Sequence, residues 1–357
     1  MVSHAVATPD RMRSAAALIR AALAAAALAV GAGCTPVVLP AGPPTAEPGL
    51  REGAILAADG ALLPLRSFPP AGTPRAVLLA LHGFNDHSGN FLTDSLPALN
   101  GGGLLVYAYD QRGFGRAPNR GFWAGAETLA ADAVAAAALL RRRHPDLPLF
   151  LLGESMGASV ALVASAAEVP PPVDGYVLLA PAIWSRDAMN PFMRGGLWLV
   201  ARTIPVLGVQ GGVGGVVASD NMDALRRLGR DPLAIRVTRV DSAVGLVDLM
   251  DAAVLALPMC CRGADGRRVP TLMLIGAQDT VVPAWASRAA LQRLPPGTRP
   301  RLGIYERGYH LLLADRNRDA VTSDILSFLA DPAAALPSGA DGDALAWLQG
   351  RPLSPRS

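Results

Sequence analysis

One stretch, LFLLGESMGASVALVASAA from Leu149 to Ala167, constrains this chain more than any other. Leu149 to Leu152 is an apolar run of strand length that breaks at Gly153-Glu154-Ser155-Met156-Gly157 and resumes as an Ala-rich segment with helical periodicity. A GxSxG pentapeptide is common by chance; the order strand, sharp turn, helix is what gives it weight. A serine at the apex of so tight a turn takes strained backbone angles, and the glycines on either side let the helix pack close to the strand. Ser155 Oγ then projects from a sheet edge at a helix N-terminus, where backbone N–H groups face developing negative charge. The bland alternative is a serine that merely caps a helix, and the strand directly before it argues against that.

Other apolar runs of strand length punctuate the chain. Glu52 to Ala57 and Leu62 to Phe68 flank Asp59-Gly60, a hairpin signal. Arg75 to Leu81, Leu104 to Tyr109, Tyr176 to Ala180, Thr271 to Ile275 and Arg301 to Tyr305 alternate with segments of helical pattern, among them Phe91 to Asn100 and Leu129 to His144. Short apolar strands alternating with helices imply parallel βαβ units, hence an α/β fold with a doubly wound, mostly parallel sheet. The interval from about Pro181 to Val269 breaks the alternation. Its apolar and Gly-rich pieces, Leu197 to Val206, Gly208 to Val217 and Val240 to Ala256, do not read as sheet strands, so a mainly helical cap over about residues 182–268 is expected.

A serine hydroxyl needs a base to become a nucleophile, and the base needs an acid to orient it. Of the five histidines, His4 lies in the leader, His82 and His87 follow an early strand, and His144 ends a helix. Only His310 follows the last strand, where a loop can return to Ser155. Asp279 sits directly after the penultimate strand, which gives the chain order Ser155, Asp279, His310. Asp174, Asp187 and Asp315 are rivals for the acid, less directly placed. An oxyanion hole requires two amides, expected from Met156 after the nucleophile and from Phe84, where Gly83 leaves the backbone accessible. His82 reads as a loop-ordering residue rather than a proton carrier.

The first 33 residues differ from the rest. Arg11 and Arg13 precede a small-residue apolar run, interrupted by Arg20, that continues from Ala21 to Gly33 in the manner of an export signal and is short for a membrane span. Residues 34–50, with Pro36, Pro40, Pro43, Pro44 and Pro48, read as an extended spacer. Residues 51–331 then form one catalytic domain, and residues 332–357 a Pro- and Ala-rich tail with one helical candidate, Asp341 to Leu348. With 51% hydrophobic and 17% charged residues the chain can bury a large core. Its net charge of +3 comes from scattered arginines without a single lysine, interspersed with 29 acidic residues, which argues against a nucleic-acid surface. No Cys/His spacing suits a metal, no cofactor is implied, and the adjacent Cys260 and Cys261 read as two small thiols rather than a bridge.

Two resemblances follow. Gly31-Ala32-Gly33-Cys34 resembles a bacterial lipobox, which implies a lipid-modified Cys34 and anchoring at the cell envelope, although Gly31 stands where such motifs usually have Leu. His82-Gly83 with His87-Ser88, Asp110-Gln111-Arg112-Gly113-Phe114-Gly115, Gly153-Glu154-Ser155-Met156-Gly157, Gly276-Ala277-Gln278-Asp279 and Gly308-Tyr309-His310 resemble the monoacylglycerol lipase and lysophospholipase group of α/β-hydrolases, also labelled serine aminopeptidase S33-like. The resemblance runs from about Glu52 to Ala330 and takes in Asp231-Pro232-Leu233 of the cap. It implies hydrolysis of single-chain acyl-lipid esters through an acyl-enzyme, with Phe84 and Met156 supplying the oxyanion amides. Arg116-Ala117 and the Gly211-Gly212-Val213-Gly214-Gly215 run depart from the pattern. An aminopeptidase would instead need acids for a substrate ammonium, with Asp187, Asp220 and Asp223 the candidates; a non-catalytic envelope lipoprotein is a third reading.

Overall fold

The computed structural model describes residues 35–210 and 216–353. The expected signal segment 1–33, Cys34 and the Gly211 to Gly215 run lie outside the described residues. Among the described residues there are eleven strands, β1 (Gly49–Arg51), β2 (Ala54–Leu56), β3 (Leu62–Phe68), β4 (Ala76–Leu81), β5 (Leu104–Tyr109), β6 (Leu149–Glu154), β7 (Gly175–Leu179), β8 (Gly208–Gln210), β9 (Val237–Arg239), β10 (Thr271–Gly276) and β11 (Arg301–Tyr305). Nine of them form one sheet in the order β1-β2-β3-β5-β4-β6-β7-β10-β11. β1, β2 and β3 run antiparallel, β3 pairs antiparallel with β5, and every pair from β5 to β11 is parallel. This is the α/β-hydrolase architecture.

Alternation along a strand explains why the central strands are apolar throughout. In β4, Val77, Leu79 and Leu81 enter the core beneath the helices Ala126–Arg143, Met156–Ala166 and Val240–Ala256; Ala76, Leu78 and Ala80 face the opposite core, beneath Leu96–Gly101 and Arg318–Ala330. Ala133, Ala136, Ala137, Ala158, Ala161 and Ala164 are fully buried, so the alanines of these helices are what bring them close to the sheet. The chain leaves β4 towards β5 on one side and crosses back to β6 on the other. Loops after β4 and β6 therefore diverge, opening a crevice at the carboxyl ends of the strands where such sheets bind ligands.

The structure redraws several expected boundaries. The helix expected from Phe91 begins only at Leu96, because Pro97 suits a first helical turn and no later position; the preceding turn is pinned by Ser95 Oγ donating to the Leu313 carbonyl at 2.6 Å. Gly208 to Val217, expected as a non-strand piece, contributes β8, which pairs antiparallel with β9 outside the main sheet. Helix Val240–Ala256 is not all cap: Leu249 and Ala253 belong to the main core beside the Met156–Ala166 helix. The proline-rich segment is docked rather than free. Val38 pairs with Trp123, Leu39 N–H donates to the Trp123 carbonyl, and Ala41 N–H to Thr128 Oγ1. The tail is likewise seated: Leu336, Ala340 and Trp347 are buried, and the helix Ala344–Leu348 follows a short 3-10 turn.

Candidate active site

Ser155 is the sharp point of the fold. It sits at φ 54° and ψ −113° between β6 and the Met156–Ala166 helix, a conformation that costs a non-glycine residue about 1–3 kcal/mol and persists only where surroundings enforce it. Here its N–H donates to the Leu179 carbonyl at 2.9 Å, and its own carbonyl accepts from Ala158 and Ala182. A Cβ on Gly153 would strike the Gly157 carbonyl and Ala158 amide, and one on Gly157 would strike the carbonyls of Leu81 and His82. Both contacts are with backbone, so neither position tolerates a side chain without moving the Met156–Ala166 helix off the sheet.

His310 and Asp279 converge on this serine from the loops after β11 and β10. His310 Nε2 lies 2.8 Å from Ser155 Oγ, and His310 Nδ1 lies 2.7 Å from Asp279 Oδ2. Asp279 accepts on its other oxygen from the amides of Val281 and Val282 at 2.8 and 2.9 Å. An acceptor-only carboxylate requires the proton on Nδ1, which leaves Nε2 to accept from the serine hydroxyl. Both Asp279 and His310 are buried, so the chain of hydrogen bonds is shielded from water.

The structure gives the rival acids other work. Asp174 accepts from Leu149 N–H at the start of β6 and pairs with Arg141; Asp187 lies in an exposed 3-10 turn. Asp315 is fully buried and holds the histidine loop, accepting from Tyr309 N–H and from Ser219 Oγ, each at 2.6 Å. Burial pushes its carboxyl up to about 6, against the pull of those two bonds. Around it the cap residues 218–221 close on the same loop: Leu311 N–H donates to the Ala218 carbonyl, Asn221 Nδ2 to the Ala314 carbonyl, and Arg316 N–H to Asp220. Nothing in the sequence beyond a Ser-Asp pair in the cap signalled this latch.

Gly83 passes so near the serine that a Cβ there would lie 3.5 Å from Ser155 Cβ, which brings the Phe84 loop alongside Ser155. Met156 is the first residue of its helix, and its amide has no preceding helical carbonyl to bond. His82 is fully buried, with Nδ1 2.8 Å from the Gly83 carbonyl and Nε2 accepting from Gln111 N–H at 3.0 Å, while Gln111 Nε2 donates back to the His82 carbonyl. Burial drives its pKa down to about 4, so it is a neutral strut joining two loops, as expected. Asp110 accepts from Ser88 N–H and Oγ at 2.9 and 2.5 Å and from Arg116 N–H at 2.8 Å. Burial opposes ionisation of Asp110, but those bonds prevail and hold its carboxyl below the usual range. Arg112 forks between Asp59 and Asp132; its hydrogen bonds hold Asp59 down to about 2, while burial raises the deeper Asp132.

The cap returns along this loop too. His87 Nε2 meets Asp231 at 3.0 Å, Ile235 N–H donates to the Asn85 carbonyl, and Asn85 Nδ2 donates to Thr238 Oγ1 at 2.7 Å. Ala182, Met250 and Val282 pack into a small apolar cluster with Trp184, whose ring meets Trp285 edge-on at 5.8 Å. Glu154, beside Ser155, is buried with Oε2 unpartnered among the described residues; burial first, then the Asp86 and Asp315 carboxylates, raises its pKa well above the ordinary value. No grouping of three or more metal-ligating side chains occurs among the described residues, nor any helix long and apolar enough to cross a membrane.

Residues 72–317 match the family model described as serine aminopeptidase, S33. The chain belongs to that family. It is 30% identical to the monoglyceride lipase of Homo sapiens over 258 residues, covering 71% of this chain and 82% of the relative. It is 25% identical to the monoacylglycerol lipase of Mycolicibacterium smegmatis, covering 73% and 90%. Among solved structures, the Paleococcus ferrophilus monoacylglycerol lipase superposes with a TM-score of 0.57 at 23% identity, over 75% of this chain and 98% of the other. A soluble variant of the Saccharomyces cerevisiae monoglyceride lipase gives 0.60 at 18%, over 83% and 98%. Membership of the S33 family makes the chain an enzyme of serine-hydrolase type within the monoacylglycerol lipase and esterase superfamily.

Proposed function

We propose that this S33-family protein hydrolyses carboxylic esters of single-chain acyl lipids, of monoacylglycerol or lysophospholipid type, with Ser155 as nucleophile. The observation that carries the reading is the unbroken line Asp279, His310, Ser155, at 2.7 and 2.8 Å. Ser155 Oγ attacks the acyl carbonyl carbon as its proton passes to His310 Nε2, and Asp279 stabilises the imidazolium that results. The carbonyl oxygen becomes an oxyanion held by the Phe84 and Met156 amides; removing one such donor costs about a hundredfold or more in rate. Collapse expels the alcohol, protonated by His310, and leaves an acyl-serine, which water attacks by the same steps to release the fatty acid. The neighbourhood of Trp184, Met250 and Val282 is apolar and adjoins Ala182, whose amide donates to the Ser155 carbonyl, which suits an acyl chain.

The export signal, a lipid on Cys34 and residence in the cell envelope belong to the same proposal and rest on sequence. The aminopeptidase alternative is weaker: Asp220 is engaged with Arg316 N–H and Asp223 with Arg226, so neither is free for a substrate ammonium. The test is labelling by a fluorophosphonate probe and turnover of a panel of acylglycerols, lysophospholipids, p-nitrophenyl esters and aminoacyl amides. Ester turnover that disappears in Ser155→Ala is expected. Full turnover in that variant, or a clear preference for the amides, refutes the reading, and failure of the folded wild type to label favours a non-catalytic protein.

A further inference from the structure

β10 and β11 run parallel to β6, so their first residues lie at the end of the sheet away from Ser155. A cavity of about 410 Å³ opens there, within the size range of small-ligand sites. One wall is apolar, from Phe328 and the prolines that precede the two strands. The other is cationic: Arg268, Arg299 and Arg301 line it, and among the described residues no acidic side chain does. Arg301 is paired with Asp341. Arg268 and Arg299 have no acidic partner among the described residues. Arg268 donates to the carbonyls of Thr298 and Pro258, and Arg299 to those of Leu291, Gln292 and Leu294. Carbonyls orient a guanidinium without cancelling its charge, so the field in the cavity suits an anion.

Cys261 lines the same cavity. Its backbone is held at φ 66°, a region few non-glycine residues adopt, by two bonds. Its N–H donates to Ser165 Oγ at 2.8 Å, and its carbonyl accepts from Val269 N–H at 2.9 Å. Cys260 directly precedes it, and both thiols are free. Both also belong to the main apolar core, which is the ordinary role of a buried cysteine; only Cys261 reaches the cavity. The Cys260 thiol first, then Thr271 and Arg268, hold the Cys261 thiol below its ordinary range in spite of burial, while Cys260 is pushed up. Of two adjacent sulfurs, the one facing the arginines is thus the first to ionise. A thiolate is the nucleophilic form, and reactive cysteines sit in cationic surroundings of this kind.

We propose that Cys261 is a thiol-exchange site for small disulfides that bear carboxylates, and that the group it gains occupies the cavity with its carboxylates on Arg268 and Arg299. The Cys261 thiolate attacks one sulfur of the disulfide; a new S–S bond forms as the old one breaks, and the other half leaves as a thiolate. The disulfide is the oxidant, and any free thiol reverses the step. Closure to a Cys260–Cys261 bridge would require a strained eight-membered ring, so the mixed disulfide is the end state. The proposal does not depend on the catalytic assignment, whose residues lie at the other end of the sheet.

The test incubates the native full chain with oxidised glutathione, which is anionic, with cystamine, which is cationic, and with neutral bis(2-hydroxyethyl) disulfide. Adducts are located by peptide mass spectrometry, and each rate is divided by that of the urea-unfolded chain. One glutathione on Cys261, released by dithiothreitol, is expected, formed about tenfold faster than the cystamine adduct on this normalised scale. Added salt is expected to narrow that gap. Arg268→Gln/Arg299→Gln, its fold checked by circular dichroism, is expected to close it, and Cys261→Ser to leave Cys260 unmodified. A Cys261 that reacts only in unfolded chain overturns the proposal, as does a mixed disulfide on Cys260 or closure to the bridge. A preference for glutathione that is absent, or that survives both salt and the arginine exchange, overturns it equally.

Discussion

Two buried carboxylates flank the histidine loop, and exchanging each for its amide separates their roles. In Asp279→Asn the remaining oxygen stays on the Val281 and Val282 amides, so the new NH2 faces His310 Nδ1, to which it can only donate; the ring proton moves to Nε2, which loses its lone pair towards Ser155. A wrong tautomer of this kind costs about 10⁴ in kcat, or ~5 kcal/mol of transition-state stabilisation. In Asp315→Asn the remaining oxygen still accepts from Tyr309 N–H, and the Ser219 hydroxyl can turn to accept from the new amide, so kcat is expected to stay within about tenfold. Asp315→Ala leaves both donors buried and unpaired and is expected to lose roughly 2–6 kcal/mol of stability, at about 1–3 for each. Stability against pH gives a second, independent reading. Because burial lifts the folded Asp315 carboxyl from 3.8 to about 6, the folded state binds the extra proton between those values. The stability this contributes is complete below about 3.8 and is lost as pH rises through about 6, a change of ~3 kcal/mol. Asparagine has no such titration, so urea melts at pH 4 and pH 7 are expected to show the variant gaining by that amount on the wild type. A flat difference across the range refutes the buried-carboxylate account, and a thousandfold loss in Asp315→Asn with activity retained in Asp279→Asn reverses the assignment of the acid.

Gly157→Ala places a methyl against the carbonyls of Leu81 and His82 and is expected to cost about 1–3 kcal/mol and most of the activity, whereas Gly195→Ala, which meets open space, is expected to be neutral or slightly stabilising by thermal melting. Trp123→Ala opens a cavity between Phe84, helix residue Gly245 and the docked N-terminal segment; a loss of about 3–5 kcal/mol in urea is expected, together with a fall in kcat because Phe84 loses its support. Glu154→Gln keeps the shape of the side chain without its titration and is expected to keep activity. Because burial raises the wild-type carboxyl, its contribution to stability fades as pH rises, so urea melts at increasing pH are expected to show the glutamine variant gaining on wild type.

The sheet was legible because its central strands are apolar on both faces and most are followed by a glycine-bearing turn, so period and punctuation agree. Ser155, Asp279 and His310 were legible for the same reason: each follows a strand directly, and position after a strand can be read from the chain. The latch was not. Ser219 donates to the Asp315 carboxylate and Asn221 to the Ala314 carbonyl, and no local pattern announces side-chain bonds that span more than ninety residues. The proline-rich segment reads as a spacer, and composition does not reveal docking: Val38 and Leu39 attach through main-chain bonds to Trp123, which any sequence could make. The β8–β9 pair escaped for a related reason, being three residues long on each side with no buried face to impose alternation.

The latch has a consequence for how this enzyme can admit a substrate. Residues 218–221 are bolted to the loop that bears the imidazole, and residues 231–238 to the loop that bears Phe84. A cover fastened to the very parts it shelters cannot lift as one plate, since raising it would drag the His310 ring off the Ser155 hydroxyl. Whatever opens must be the lightly seated portion, the helix Pro191–Thr203 resting on Val240 and Val244, and a ligand that pried up the rest would disarm the chemistry it had come for.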